Sequence, residues 1–520
     1  MNFTFFHLVI FAMLNKNKAQ LKSFLVFTIC CLFSFSSLAQ GKRIQIIHSD
    51  NSSIDEVRLP GATILLGNII IRHEGIKLNC KKAIHYKNEN FIKAYGDVVL
   101  NQGDSVIQTS QYTEYNGNSQ KALSWGNVVI KDSKMTLSTD TLNFDRTKQL
   151  LFYKYGATIK DSINVLTSNT GNYYLSNNKF QAISNVVLTN PDYLLESNHL
   201  DYYTDNGRAF LYGSSTITSD ENLIYCEKGF YDTQRNISHF TRNARIEYDS
   251  KEIKADSLFY NRNLGFASAT KNIILIDTLN HSVLKGNYAE FFEKVDSAFV
   301  IKQAVAITNT NKDSLFIHGD TILATGKPDK RIIRAYHHVK FFKSDLSGKC
   351  DSIHSDQGSG LTQMFRSPVL WSKKSQITGD TIQMLNNIET NKLDSLKVLR
   401  NAFIIDKDSI GFNQIKGRDL YGKFEENDLR FVNIVGNSEV IHFVRDDEQA
   451  LIGIEKTSCS EIHFVLRDGK IETSKFITYP DGQTYPPSRL PENARKLRGF
   501  TWRENEKPLS KKDIFIKDGE

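Results

Sequence analysis

The side chains in this sequence that could do chemistry are an adjacent histidine pair, a recurring aspartate and a few cysteines. His337 and His338 open HHVKF at 337–341, which reads as a strand. Neighbours in a strand point to opposite faces, so the two imidazoles are badly placed to share a metal ion. Asp140, Asp256, Asp320 and Asp380 could supply carboxylates for acid–base work. However, they return once per segment in one local context, DTLNF, DSLFY, DTILA and DTIQM, as a turn-adjacent or solvent-facing position does. Cys80, Cys226, Cys350 and Cys459 form no CxxC pair and no cluster with His. GxGxxG, Walker, HExxH and GxSxG patterns are missing from the sequence. No catalytic residue, metal site or cofactor is assigned, and the chain is read as not an enzyme.

The elements that hold these residues come from a repeat. A short signature opens with Gly or a basic residue and runs into β-branched residues: GNIII at 67–71, GDVVL at 96–100, GNVVI at 126–130 and GATIK at 156–160. It continues through NVVL at 185–188, NIILI at 272–276, HHVKF at 337–341, NAFII at 401–405 and NSEVI at 437–441. Gly67, Gly96, Gly126 and Gly156 are spaced by 29, 30 and 30 residues, which is a repeat architecture. Each unit reads as three strands of about four to six residues separated by Asn, Asp, Gly and Ser turns. One unit cannot bury its own apolar face, so about thirteen units must stack. With strands ~4.8 Å apart, Cys80 and Cys226, five units apart, are separated by at least ~24 Å. A disulfide needs Cα atoms within ~7 Å, so the cysteines are expected to be free and mostly buried.

Bulk properties fit this reading. Of 520 residues, 40% are hydrophobic and 24% charged, a folded composition. The net charge of +7 falls to +4 without residues 1–39, which hold Lys16, Lys18 and Lys22 and no acid. That is too balanced for a nucleic-acid partner. Residues 1–39 read as a signal peptide, with an apolar run Phe24–Phe35 before Ser37-Leu38-Ala39. Cleavage would leave Gln40 first, and Met13 is a second candidate start. The rival is an uncleaved anchor, although the run is shorter than the ~20 residues of a spanning helix. At the other end, Pro480, Pro486, Pro487, Pro491 and Pro508 crowd a basic stretch around Phe500 and Trp502. Residues 475–520 therefore read as a cap on the last rung, a flexible tail or a docking segment, with the cap placed first.

The G-x-V-x-I signatures, such as Gly96–Leu100 and Gly126–Ile130, are followed by a-D-x-L-x-Y elements. Examples are Thr139-Asp140-Thr141-Leu142-Asn143-Phe144 and Ala255-Asp256-Ser257-Leu258-Phe259-Tyr260. Together they resemble the organic-solvent-tolerance (OstA-like) family, which includes the periplasmic lipopolysaccharide-transport protein LptA and the N-terminal domain of LptD. The resemblance is strongest in 40–275 and more divergent in 276–474. It implies an all-β, elongated, open β-jellyroll (β-taco) solenoid of about thirteen repeats of roughly 30 residues, with an inner face that holds acyl chains. Alternation puts Val98 with Leu100, Val128 with Ile130, Val186 with Leu188 and Ile274 with Ile276, and these pairs are expected to line the groove. The alternative is that such residues pack an ordinary closed core. The resemblance further implies a periplasmic location, bridging the inner and outer membranes through partners. The implied ligand is lipopolysaccharide or a related multi-acyl glycolipid. LptC-like and LptD-like β-jellyrolls would pair with an edge formed by Arg43, Ile44, Gln45, Ile46 and Ile47. Two rivals stand beside this reading, a right-handed β-helix enzyme acting on polysaccharide and an outer-membrane β-barrel.

Overall fold

The computed structural model describes residues 43–517, apart from 103–105, 133–134, 221, 249, 280, 311–312, 328–329, 391, 427, 447 and 468–469. The expected leader at 1–39 lies outside the described residues. The chain divides into two compact units on either side of the Asn178–Lys179 bond. Both are built from antiparallel strands joined in sequence order by short turns. A β-helix, by contrast, stacks parallel rungs. The all-β expectation holds, and the strands are longer than the sequence suggests.

Each repeat contains two long strands where three short ones were expected. Ala62–His73 has 12 residues, Ile76–Tyr86 has 11 and Phe91–Gln102 has 12. The Gly-x pair that looks like a turn sits in mid-strand. Gly96 and Asp97 both have left-handed backbone, φ 74° and 46°, and the register slips there between Tyr95 and Val98. Two residues on this strand oppose one on the next, which is a β-bulge. The same slip follows Gly126-Asn127 (φ 78° and 53°). Glycine suits the first position because a β-carbon is strained at positive φ. In the second unit Arg242, Lys271, Lys302, His337, Arg366 and Arg400 take that place, at φ near 60°.

The bulge turns each strand into two legs, a first leg before it and a second after, and each return strand runs first beside the second leg and then beside the first, its two halves named for the legs they pair with. Side chains alternate along both, and Ile92, Ala94, Val98 and Leu100 are all buried. In the second unit one apolar cluster joins Leu396 and Val398, before the bulge at Arg400-Asn401, to Ala402 after it. The core is therefore the space between the legs.

The a-D-x-L-x-Y element is the return strand passing this corner. Its first residue pairs with the first residue after the bulge, as in Val98 with Ser110, Val128 with Thr139, Val186 with Ser197 and Ala304 with Gly319. The four cysteines occupy this one position: Cys80 faces Ile69, Cys226 faces Ser215, Cys350 faces Val339 and Cys459 faces Ser438. All four are free. The aspartate that follows lies opposite the bulge, and several tie down the bulge of the next pair. Asn272 Nδ2 donates to Asp256 at 3.1 Å and Asn401 Nδ2 to Asp380 at 2.9 Å, while His338 Nδ1 lies 2.8 Å from Asp320. These recurring carboxylates hold corners.

In the second unit the ladder runs on through Lys470–Ile477 and Asp481–Tyr485. The segment after it turns back over the outward face of the second legs. Leu490 and Leu497 pack there against Phe403, Ile405, Ile441, Phe443 and Ile454. Two fully buried glutamines hold its backbone. Gln414 donates to Arg495 O at 2.7 Å and accepts from Leu497 N–H at 2.8 Å. Gln376 does the same with Thr501 O and Arg503 N–H, both at 2.8 Å. This segment is a strap along a sheet face. Among the described residues it makes no strand pairing with Lys470–Ile477 or Asp481–Tyr485.

Candidate functional site

The residues assigned to a groove divide by place. Val98, Leu100, Val128 and Ile130 sit on second legs of the first unit and are at most 4% exposed. Val186 is buried and Leu188 half-buried on the matching face of the second unit. Ile274 and Ile276 point the other way. The bulge there is Lys271-Asn272, so Ile273, buried at the corner, takes the place of Val98. A lysine stands where glycine opens the earlier signatures, and counting from Asn272 shifts the assignment by one residue, which reverses the face.

The interior of the first unit also holds polar groups that sequence reading missed. Gln108, on a second leg, donates to Ser124 Oγ on a first leg at 2.5 Å, and Thr113 Oγ1 lies 2.9 Å from Ser110 and from Ser124. His73 ends a second leg and is buried, with Nδ1 2.7 Å from the hydroxyl of Tyr115 on a first leg. Burial pushes the Tyr115 phenol up to about 12. At the adjoining tips, Gln120 Nε2 donates to Glu74 Oε2 at 2.6 Å and Arg146 Nη1 to the same oxygen at 3.3 Å. These pairs are 42, 46 and 72 residues apart in sequence, a separation that hides them from local reading.

Of the residues assigned to a partner edge, Gln45, Ile46 and Ile47 lie in an edge strand and Arg43 and Ile44 precede it. Gln45–His48 pairs with Ala62–His73, with Gln45 opposite Arg72 and Ile46 opposite Ile71. Its other side has no strand partner among the described residues. Arg43, Gln45 and Ile47 are exposed, and Ile44 is buried with its N–H donated to Asn90 Oδ1 at 2.9 Å.

The histidine pair occupies the two left-handed positions of one bulge, φ 59° and 52°. It borders an open cleft of about 750 Å³ that also takes in Asp351, Phe365, Arg366 and Arg400. The charges there pair with one another: Arg366 and His337 each lie 3.4 Å from Asp351, and Arg400 lies 3.5 Å from Asp380. No group of three metal-ligating side chains occurs among the described residues.

Residues 41–198 match the family model described as OstA-like protein. No curated protein matches the chain. Among solved structures, the chain is similar to LptH, the LptA-homologous periplasmic component of the lipopolysaccharide transport device of Pseudomonas aeruginosa. That match has 16% identity and a TM-score of 0.20, and it covers 22% of this chain and 82% of that one. The bulge-and-return signatures at Gly67, Gly96 and Gly126 lie inside the residues that match the OstA-like family model.

Proposed function

We propose that this chain is a non-enzymatic, periplasmic lipid-binding bridge in lipopolysaccharide transport. It shelters acyl chains between its two legs and pairs its edge strand with LptC-like or LptD-like β-jellyrolls. The observation that carries this is the row of inward apolar residues, Val98, Leu100, Val128 and Ile130, on consecutive second legs of the OstA-like segment. Burial of each methylene is worth ~0.8 kcal/mol, so a ligand with several acyl chains gains many kcal/mol without any specialised residue. These side chains are already packed, so an acyl chain reaches them only where the legs part.

The test is lipid crosslinking to purified full-length protein, with lipopolysaccharide as ligand. Ile130→Asp sets a carboxylate among the acyl chains and is expected to lower the yield strongly. Asn127→Asp, at an exposed left-handed bulge position that tolerates Asp, is expected to leave it unchanged. Equal yields from wild type and Ile130→Asp would refute a lipid site between the legs there.

A further inference from the structure

In both units apolar side chains fill the space between the legs, Ile92, Val98 and Leu100 in the first and Val300, Val339 and Val398 in the second. In the first, the tips beyond this filling meet through polar groups. Glu74 sits at φ 45° in a tight turn with Gly75, at the end of a second leg. Its carboxylate accepts from Gln120 and Arg146, which follow first legs, and its carbonyl accepts from Arg146 Nη2. Beneath it His73 meets Tyr115 with the rings edge-on, centroids 5.5 Å apart at 62°. Further along, Asn90 joins the Ile44 N–H to Asn118.

We infer that this seam is the lateral mouth of the first unit, through which an acyl-bearing amphiphile enters, and that Glu74, Gln120 and Arg146 are its latch. The inference rests on the lipid-binding reading above. Closure by hydrogen bonds and an ion pair can open because water replaces each bond as the tips part. Apolar closure has no such substitute, since its surfaces lose free energy on meeting water. Arg146 and Glu74 are already 18% and 26% exposed, so water reaches the latch before it opens. The strand that leaves Glu74 carries Leu78, the register partner of Leu100, so parting the tips uncovers the row proposed to hold acyl chains.

The experiment uses full-length protein and a long-chain fatty acid bearing a diazirine near its methyl end, with labelled peptides mapped in 91–102 and 121–131. Glu74→Ala with Arg146→Ala is expected to speed labelling roughly tenfold, the population shift for one lost charge-assisted pair. Glu74→Cys with Gln120→Cys is expected to form a disulfide that slows labelling at least as much, with recovery on reduction. That reversibility separates a held seam from a misfolded variant. An oxidised staple that labels as fast as wild type overturns the inference and leaves the lipid-binding reading standing, as does failure of the two cysteines to join. Wild type that takes no label in either peptide defeats the lipid-binding reading and the seam together.

Discussion

Gly417 stands opposite Ala402 in the ladder, and a β-carbon on it would lie 2.4 Å from Cγ2 of Ile434. Gly286, at the same place in its own repeat, would put a β-carbon 2.3 Å from Val300 Cγ1 and 3.1 Å from the Ile301 carbonyl. The corner position therefore admits only small side chains, as Cys80, Ser110, Thr139, Ser197, Cys226 and Ala255 show along the column.

Overpacking this column is expected to be costly. Gly417→Val and Gly286→Val should each destabilise by about 1–3 kcal/mol, the usual range for forcing methyl groups into a filled interior. Cys226→Ser exchanges residues the column already alternates and should cost less than either valine. Chemical denaturation midpoints at constant slope compare the three. A Gly417→Val protein as stable as wild type would show that the corner has room.

The cysteines should be inert in the folded protein. Burial pushes the Cys80 thiol up to about 11 and those of Cys226 and Cys350 to about 12, and raises Cys459 as well. The thiolate is the reactive form, so at pH 8 almost none is present. Mass spectrometry after maleimide treatment should find Cys80, Cys226 and Cys350 unmodified in native protein and all four modified in denaturant. Rapid labelling of Cys226 in native protein would contradict the packing described for the corner.

How much of this was legible in the sequence depends on range. The repeat, the all-β class and the free cysteines follow from spacing alone. The strand length does not, because a Gly-Asp or Gly-Asn pair is also a strong hairpin-turn signal. Here the pair bends a strand that continues, so one long strand reads as two short ones. The faces of Ile274 and Ile276 went astray for a related reason, with Lys271 at the bulge in place of glycine. The seam and the strap lay further out of reach. Glu74 meets Arg146 across 72 residues and Gln376 meets Arg503 across 127, and no local pattern marks either pair.

Acid should loosen the end of the strap. His318 is buried, its ring centroid 4.8 Å from that of Phe515 and its Nδ1 2.7 Å from the Ala304 carbonyl. Desolvation holds its pKa below the ordinary histidine value despite that hydrogen bond and Asp320, and Lys340 and His338 push the same way as desolvation. The folded state thus takes up its proton at lower pH than the unfolded state. Below the unfolded value of about 6.5, the unfolded chain binds more protons, and stability falls as pH falls. Protection of the amides of residues 513–517, taken as the exchange rate relative to the intrinsic rate at each pH, should fall between pH 7 and 5, and His318→Gln should flatten that dependence. Protection that stays constant over this range in wild type would exclude His318 as the cause.

Assembly should favour the edge at Gln45–His48 over the edge at Lys470–Tyr485. Both strands pair on one side only among the described residues, so both expose backbone donors and acceptors that could template a partner strand. The C-terminal segment packs on the sheet face and makes no strand pairing with the second edge among the described residues. The asymmetry comes instead from the edge residues. Lys470–Tyr485 carries Glu472, Lys475 and Pro480, and Thr478 and Tyr479 break it with left-handed backbone. Charge and proline block strand addition; irregularity does not separate the edges, because the register also shifts between Ile46 and His48. The other edge offers Gln45, Ile46 and Ile47, with Ile47 half exposed at 50%, and has neither proline nor charge from Ile44 to Ile47. Photocrosslinkers at Gln45 and Ile47 should capture a β-jellyroll envelope protein in living cells, while those at Glu472 and Gln483 should not. Capture confined to Glu472 and Gln483 would mean that the charged, proline-broken edge is the docking one and that edge charge and proline do not set the polarity of assembly.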